Sequence, residues 1–160
     1  MDGHILFINE LMSLNIYYKD FHIVSILINE CADLESEFLS DKTDQQIKYE
    51  KKVVQQFEEY FSGERTTFDL EFRLEGTDFQ VKVWQALQNI PYGETRSYKD
   101  IAESVDSPKA YRAVGMANNK NKIPIIIPCH RVIGSKGQLV GYAGGLNIKK
   151  ILLDLEEKYM

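Results

Sequence analysis

An apolar run, Ile123-Pro124-Ile125-Ile126-Ile127, ends at Pro128 and is followed at once by Cys129-His130-Arg131-Val132. No other stretch constrains the fold so tightly, because the closing proline marks where regular structure must stop. The thiol is delivered at that point, a natural place for an accessible nucleophile. The neighbouring imidazole and guanidinium can both favour the thiolate, the reactive form of cysteine. From these residues alone a second reading stands beside it, a buried thiol with a surface histidine next to it.

The 160 residues suffice for one compact unit or two small subdomains sharing a core. No apolar run is long enough to span a bilayer, and Asp2, His4 and Glu10 do not make a secretion signal. The two cysteines, Cys31 and Cys129, are too few for a disulfide scaffold. Without a Cys-x-x-Cys pair or a Cys/His cluster, neither a metal nor another cofactor is expected. A reducing cytoplasm fits these thiols, and Cys31 reads as a buried structural one.

The net charge of −5 argues at first against nucleic acid. Its distribution argues the other way. Residues 1–76 carry 7 Lys/Arg against 16 Asp/Glu, whereas residues 77–160 carry 12 against 8. Between Thr95 and Lys150 ten basic side chains face only Asp100, Glu103 and Asp106. Such asymmetry suits a polyanion-binding face on an acidic protein, or simply a solvated surface.

Along the N-terminal part, Ile16-Tyr17-Tyr18 and Phe21 to Ile28 read as strands joined by a turn at Lys19-Asp20. Asp44 to Phe61 reads as a helix stopped by Gly63, with Ile47, Val53-Val54, Phe57 and Tyr60-Phe61 at helical spacing. Leu70 to Leu74 alternates like a half-buried strand. No catalytic constellation occurs here, and a scaffold role is expected.

The character changes at Gly76-Thr77. Thr77 can cap a helix whose apolar stripe is Phe79, Val83, Trp84 and Leu87, ended by Pro91-Tyr92-Gly93. Trp84 reads as core. Ser97 can cap a short helix from Tyr98 to Val105, and Asp106-Ser107-Pro108 turns the chain into another, Lys109 to Ala117, with Pro108 at its first position. The pair suggests a helix-turn-helix. The second helix is thin, with Ala110, Ala113, Val114, Gly115 and Ala117. It could approach the protein core or a DNA groove closely. Arg112 is its main candidate base reader, which favours recognition of shape or damage over sequence. Gly134-Ser135-Lys136-Gly137 is a flexible basic turn. Gly141 to Gly145 lets the backbone run near something flat beside Tyr142. A last helix, Asn147 to Lys158, places Ile148, Ile151, Leu152 and Leu155 inward, while Glu156 by default is solvated.

Taken together, Ile127 to Val132, Arg112-Ala113-Val114-Gly115 seventeen positions before the cysteine, Ser97-Tyr98, Gly141 to Gly145 and Glu156 resemble the O6-alkylguanine-DNA alkyltransferases. The resemblance is strong from about Thr77 to Glu157. It implies an α+β fold: a small N-terminal α/β domain over 1–76, with a ribonuclease H-like hairpin or sheet plus helix, and a mostly helical C-terminal domain over 77–160 with a helix-turn-helix. It further implies that Cys129 attacks the alkyl carbon on guanine O6, that His130 acts as base through a water, and that Glu156 orients His130. Asn121 would bond the backbone of the active-site turn. Tyr98 would press on a phosphate and donate to the leaving guanine. Arg112 would fill the gap left by a flipped nucleotide, a step needed because the lesion inside a duplex is out of a thiol's reach. Tyr111, Ala113 and Ser135 would join it on DNA. Tyr142, Val132, Ala143, Pro124 and Asn118 would line the guanine pocket.

Two departures stand out: Lys122 where the family often has Pro after the Asn, and Asn118 where some relatives carry an apolar residue. The Cys/His zinc set of some relatives is also missing. The implied partner is double-stranded DNA containing O6-alkylguanine, with O4-alkylthymine a second substrate and the protein a monomer that reacts once. The competing functions are a lesion-binding sensor, against which Cys129 itself speaks, a cysteine hydrolase, and a plain helix-turn-helix regulator, which would need paired half-sites and a dimerisation element.

Overall fold

The computed structural model describes residues 2–31, 41–142 and 144–160. Two compact units divide the chain, Met1–Arg73 and Leu74–Met160. Among the described residues no helix is long and apolar enough to cross a membrane.

The first unit is built on a three-stranded antiparallel sheet in the order β1 (Asp2–Ile8), β2 (Ser13–Lys19), β3 (His22–Ile28). β1 was not legible as a strand, since its apolar residues fall on both faces: Ile5 and Phe7 are buried whereas Leu6 and Ile8 are exposed. The β2–β3 turn sits at Asp20-Phe21, one residue beyond the expected Lys19-Asp20. Both turn residues take positive φ, 46° and 62°, the geometry that matches the twist of a two-residue hairpin. A close approach explains Gly3, where any Cβ would lie 2.2 Å from the Tyr18 ring.

Helix α1 (Asp44–Phe61) has the expected bounds, because Thr43 and Gln46 form a capping box at its start. Its Val53, Phe57 and Tyr60 are buried, but Ile47 is exposed. Phe7 packs on Phe57 and Phe61, and Phe68 on Phe57 and Tyr60. Residues 70–74 do not form the expected strand. A single bridge joins Phe72 to Ile23, where Ile23 donates to Glu71 and Arg73 donates back to Ile23. Cys31 is exposed rather than buried, because it lies past the last paired residue of β3.

The second unit is mostly helical: α2 (Asp78–Leu87), α3 (Tyr98–Ser104), α4 (Tyr111–Asn119) and α5 (Leu146–Tyr159). A two-stranded parallel sheet joins β4 (Arg96–Ser97) to β5 (Val132–Ile133). Capping boxes start α2 and α3, Thr77 with Gln80 and Ser97 with Asp100. α2 stops at Leu87, before the Pro91-Tyr92-Gly93 break. Trp84 is core, and its indole N–H donates to the Ala117 carbonyl at 2.8 Å, fixing α2 against α4.

The helix-turn-helix of α3 and α4 is present, but α4 begins at Tyr111, not Lys109. The Ala110 N–H is already taken by the Ser107 carbonyl at 2.8 Å and Asp106 has φ 58°, so Pro108 serves the turn instead of the helix. α4 buries Val114, Ala117 and Asn118 and exposes Tyr111, Arg112, Ala113 and Met116. Its small residues therefore serve core packing on one face and leave the other open.

Candidate active site

The apolar run before the cysteine is a strained loop. Ile125 is buried with φ 73°, a left-handed conformation that costs a β-branched residue about 1–3 kcal/mol. Asn121 holds the loop at both ends. Its Oδ1 accepts from the Ile123 N–H at 3.0 Å and its Nδ2 donates to the Ile127 carbonyl at 2.9 Å. Pro124, expected in the substrate pocket, lies inside this clamped loop.

Pro128 then ends the run, and Cys129-His130-Arg131 make a single 3-10 turn that leads into β5. All three are buried. Cys129 is only 3% exposed, so the expected accessible nucleophile is a sheltered one. Asn118 supports it from α4, with Nδ2 donating to the Cys129 carbonyl at 3.2 Å. The Asn118 Oδ1 is buried with no hydrogen-bond partner.

The charged part of the site is a knot of hydrogen bonds at Glu156, two turns from Lys149 on α5. Arg131 binds the carboxylate with a fork, Nε to Oε2 and Nη2 to Oε1, both at 2.8 Å. Its third arm donates to the Ile90 carbonyl at 2.7 Å. His130 Nε2 lies 2.7 Å from Oε1, and the Gly93 N–H reaches Oε2 at 3.3 Å. Gly93 is required there: its φ is +79° and a Cβ would meet Met160 at 2.7 Å. Burial alone would push the Glu156 carboxyl up, but the hydrogen bonds and charges of His130 and Arg131 outweigh it and bring it down to about 2. Glu156 is therefore ionised and can only accept.

That fixes the histidine. Burial is the main cause that lowers the His130 pKa, so the ring is neutral at pH 7 although Glu156 pulls the other way. A neutral ring facing an acceptor-only carboxylate through Nε2 must carry its proton on Nε2. The lone pair is then on Nδ1, which is buried and has no hydrogen-bond partner. A cysteine nucleophile needs a basic nitrogen of this kind within reach, directly or through a water. Burial pushes the Cys129 thiol up, while Asn121, Lys149 and Tyr142 pull it back.

Tyr98 starts α3, and its hydroxyl donates to the Val140 carbonyl at 2.9 Å. The Tyr142 hydroxyl is buried without an oxygen or nitrogen partner, and burial together with the nearby Cys129 raises its pKa. The Val132 carbonyl accepts from the Lys149 ammonium. Cys129, His130, Asn118, Asn121, Val132, Tyr98, Tyr142 and Glu156 thus belong to one neighbourhood. Arg112, Tyr111 and Ala113 stand apart from this knot on the open face of α4, and Ser135 is exposed in the basic turn. Ala143 lies outside the described residues.

Sequence reasoning missed Lys149, which it counted as one more basic surface group. Lys149 is fully buried. The available signal was positional, since Lys149 shares a helix face with Leu152 and Glu156 at spacings of three and seven. The solvated reading of Glu156 from residues alone is likewise reversed, at 1% exposure.

A sheltered thiol, a neutral imidazole and an ionised carboxylate lie in the same unit as a helix-turn-helix. Residues 78–158 match the family model of the 6-O-methylguanine DNA methyltransferase DNA binding domain. The chain is 63% identical over 110 residues to the methylated-DNA–protein-cysteine methyltransferase of Methanosarcina barkeri, covering 69% of this chain and 70% of that one. It is 48% identical over 136 residues to that of Methanosarcina mazei, covering 85% and 83%. The O6-methylguanine methyltransferase of Mycobacterium tuberculosis has a similar fold, with TM-score 0.81 and 39% identity over 100% of this chain and 95% of that one. The structure of the Mycobacterium tuberculosis protein in complex with DNA matches with TM-score 0.81 and 41% identity, covering 99% and 93%. The chain belongs to the methylated-DNA–protein-cysteine methyltransferase family.

Proposed function

We propose that this protein repairs double-stranded DNA by moving the alkyl group of O6-alkylguanine, and of O4-alkylthymine, onto Cys129. The observation that carries the reading is the buried contact of His130 Nε2 with the Glu156 carboxylate at 2.7 Å, which assigns the ring proton to Nε2 and leaves the buried Nδ1 to accept one. His130 takes the Cys129 proton through a water molecule. The sulfur attacks the alkyl carbon, the S–C bond forms as the C–O6 bond breaks, and the electron pair leaves on guanine O6. Tyr98 donates to that leaving group. Asn121 and Asn118 hold the backbone of the turn, and Tyr142, Val132 and Pro124 enclose the base.

The open face of α4 meets the duplex through Arg112, Tyr111 and Ala113, with Ser135 on a phosphate. Arg112 enters the stack in place of the extruded nucleotide, whose unstacking costs a few kcal/mol and least at a damaged pair. The thioether is a poor leaving group, so each molecule reacts once, as a monomer in the cytoplasm.

Intact mass after incubation with O6-methylguanine DNA tests the reading. A gain of one methylene on Cys129, saturating at one per protein and absent in Cys129→Ser, is expected. Lesion binding without any gain would make the protein a sensor and overturn the reaction.

A further inference from the structure

Lys149 is buried to 0% exposure on the apolar face of α5, among Ile148, Leu152 and Leu155. A lysine is rarely buried without a partner charge, because losing water disfavours the ammonium. Its Nζ donates to two backbone carbonyls, Val132 and Val140, the latter at 3.0 Å. It also lies 5.9 Å from the Tyr98 ring centre and 6.0 Å from that of Tyr142. Carbonyls and ring faces solvate a cation but do not neutralise it. Among the described residues no carboxylate pairs with it. The Glu156 oxygens are taken by His130, Arg131 and Gly93.

The charges of the buried cluster can therefore be counted. Arg131 neutralises Glu156, His130 is neutral, and Tyr92, Tyr98 and Tyr142 are phenols held above their usual range. Lys149 is left as an uncompensated cation. The remaining group able to become an anion is the Cys129 thiol, and the two weigh on each other electrostatically. Burial lowers Lys149 to about 8 even with the sulfur's help, so the ammonium persists at neutral pH.

We propose that the Lys149 ammonium is the counter-charge of the Cys129 thiolate, a positioning residue that makes the nucleophile available inside a sheltered site. When the Cys129 proton passes by way of His130 to solvent, the electron pair stays on sulfur and the cluster goes from one net positive charge to none. The same bonds to the Val132 and Val140 carbonyls hold the ammonium in place beside the Tyr98 and Tyr142 rings. This inference rests on Cys129 being the acceptor of the proposed reaction, and its test is read without DNA.

The test is the ultraviolet absorbance of the thiolate against pH in a Cys31→Ser background, where Cys129 is the sole thiol. Lys149→Met should raise the midpoint by about one pH unit, a tenfold loss of thiolate below it, and Lys149→Arg should restore it. An unchanged midpoint in a folded Lys149→Met protein, with methyl transfer lost, would leave Lys149 only its carbonyl bonds and overturn the proposal. Should Lys149→Met not fold, the coupling can be read from the other side, because it is reciprocal. Nitrogen NMR of Lys149 should show the ammonium losing its proton at lower pH in Cys129→Ser than in the parent, and equal titrations would overturn the proposal. A shifted thiol midpoint in a protein that accepts no methyl group would uphold Lys149 while sinking the proposed reaction.

Discussion

At Glu156, one carboxylate answers a histidine, an arginine fork and a backbone N–H, so single atoms there govern the response to acid. The Glu156 pKa is depressed to about 2, so its stabilising contribution is complete above the ordinary carboxylate value and is lost as pH falls towards that figure. His130 has the same sign for a different reason. Its folded pKa lies below the unfolded one, so the unfolded chain takes up a proton first as pH drops through about 6.5, and stability falls. Melting temperature should therefore decline from pH 7 to 5, with a shallower slope in His130→Gln, and parallel slopes would remove His130 as the cause. Replacing Glu156 by Gln leaves the Arg131 guanidinium buried without its counter-charge, which should cost about 3–5 kcal/mol in chemical denaturation. Asn121→Ala strands the Ile123 N–H and the Ile127 carbonyl around the strained Ile125, and should cost about 1–3 kcal/mol by the same measurement.

The elements that could be read from sequence are those with local punctuation. α1, α2 and α3 begin where a Thr or Ser is followed three residues on by a Gln or Asp, and that reciprocal bond needs no tertiary partner. Thr77→Ala should accordingly destabilise the second unit by about 1 kcal/mol, visible as a lowered melting temperature. α4 has no side-chain cap, and its start slipped by two residues because the turn before it consumed the Ala110 N–H. Strand β1 goes unread in the sequence and the strand expected over 70–74 does not form for a related reason: pairing across a sheet is decided by a partner strand, not by the residues of one strand. The open face of α4 carries the expectation for DNA. Under the proposed reaction, Arg112→Ala should weaken repair of duplex while sparing reaction with the free base, and equal losses on both would sink the base-flipping role. Binding should also weaken steeply with salt, because phosphate contacts release counterions.

For the molecule as a whole, the proposed reaction is also its end. Methylation adds bulk inside a buried turn and removes the group that can balance Lys149, so the alkylated protein should melt at a lower temperature than the free one. Equal melting temperatures before and after reaction would defeat this. The Cys129 thiol, its histidine neighbour, the capped helices and the basic bias of residues 77–160 were all determined by the sequence, since each depends on residue identity and on neighbours a few positions away. Tertiary structure alone decided that Cys129 is sheltered, that Cys31 is exposed, that His130 turns Nε2 to the Glu156 carboxylate and that Lys149 is buried. The physical reason is that burial and protonation are set by what surrounds a group in space. Around Glu156, for instance, Ile90, Gly93, His130 and Arg131, spread with it over 67 residues, have to converge before its charge state is set.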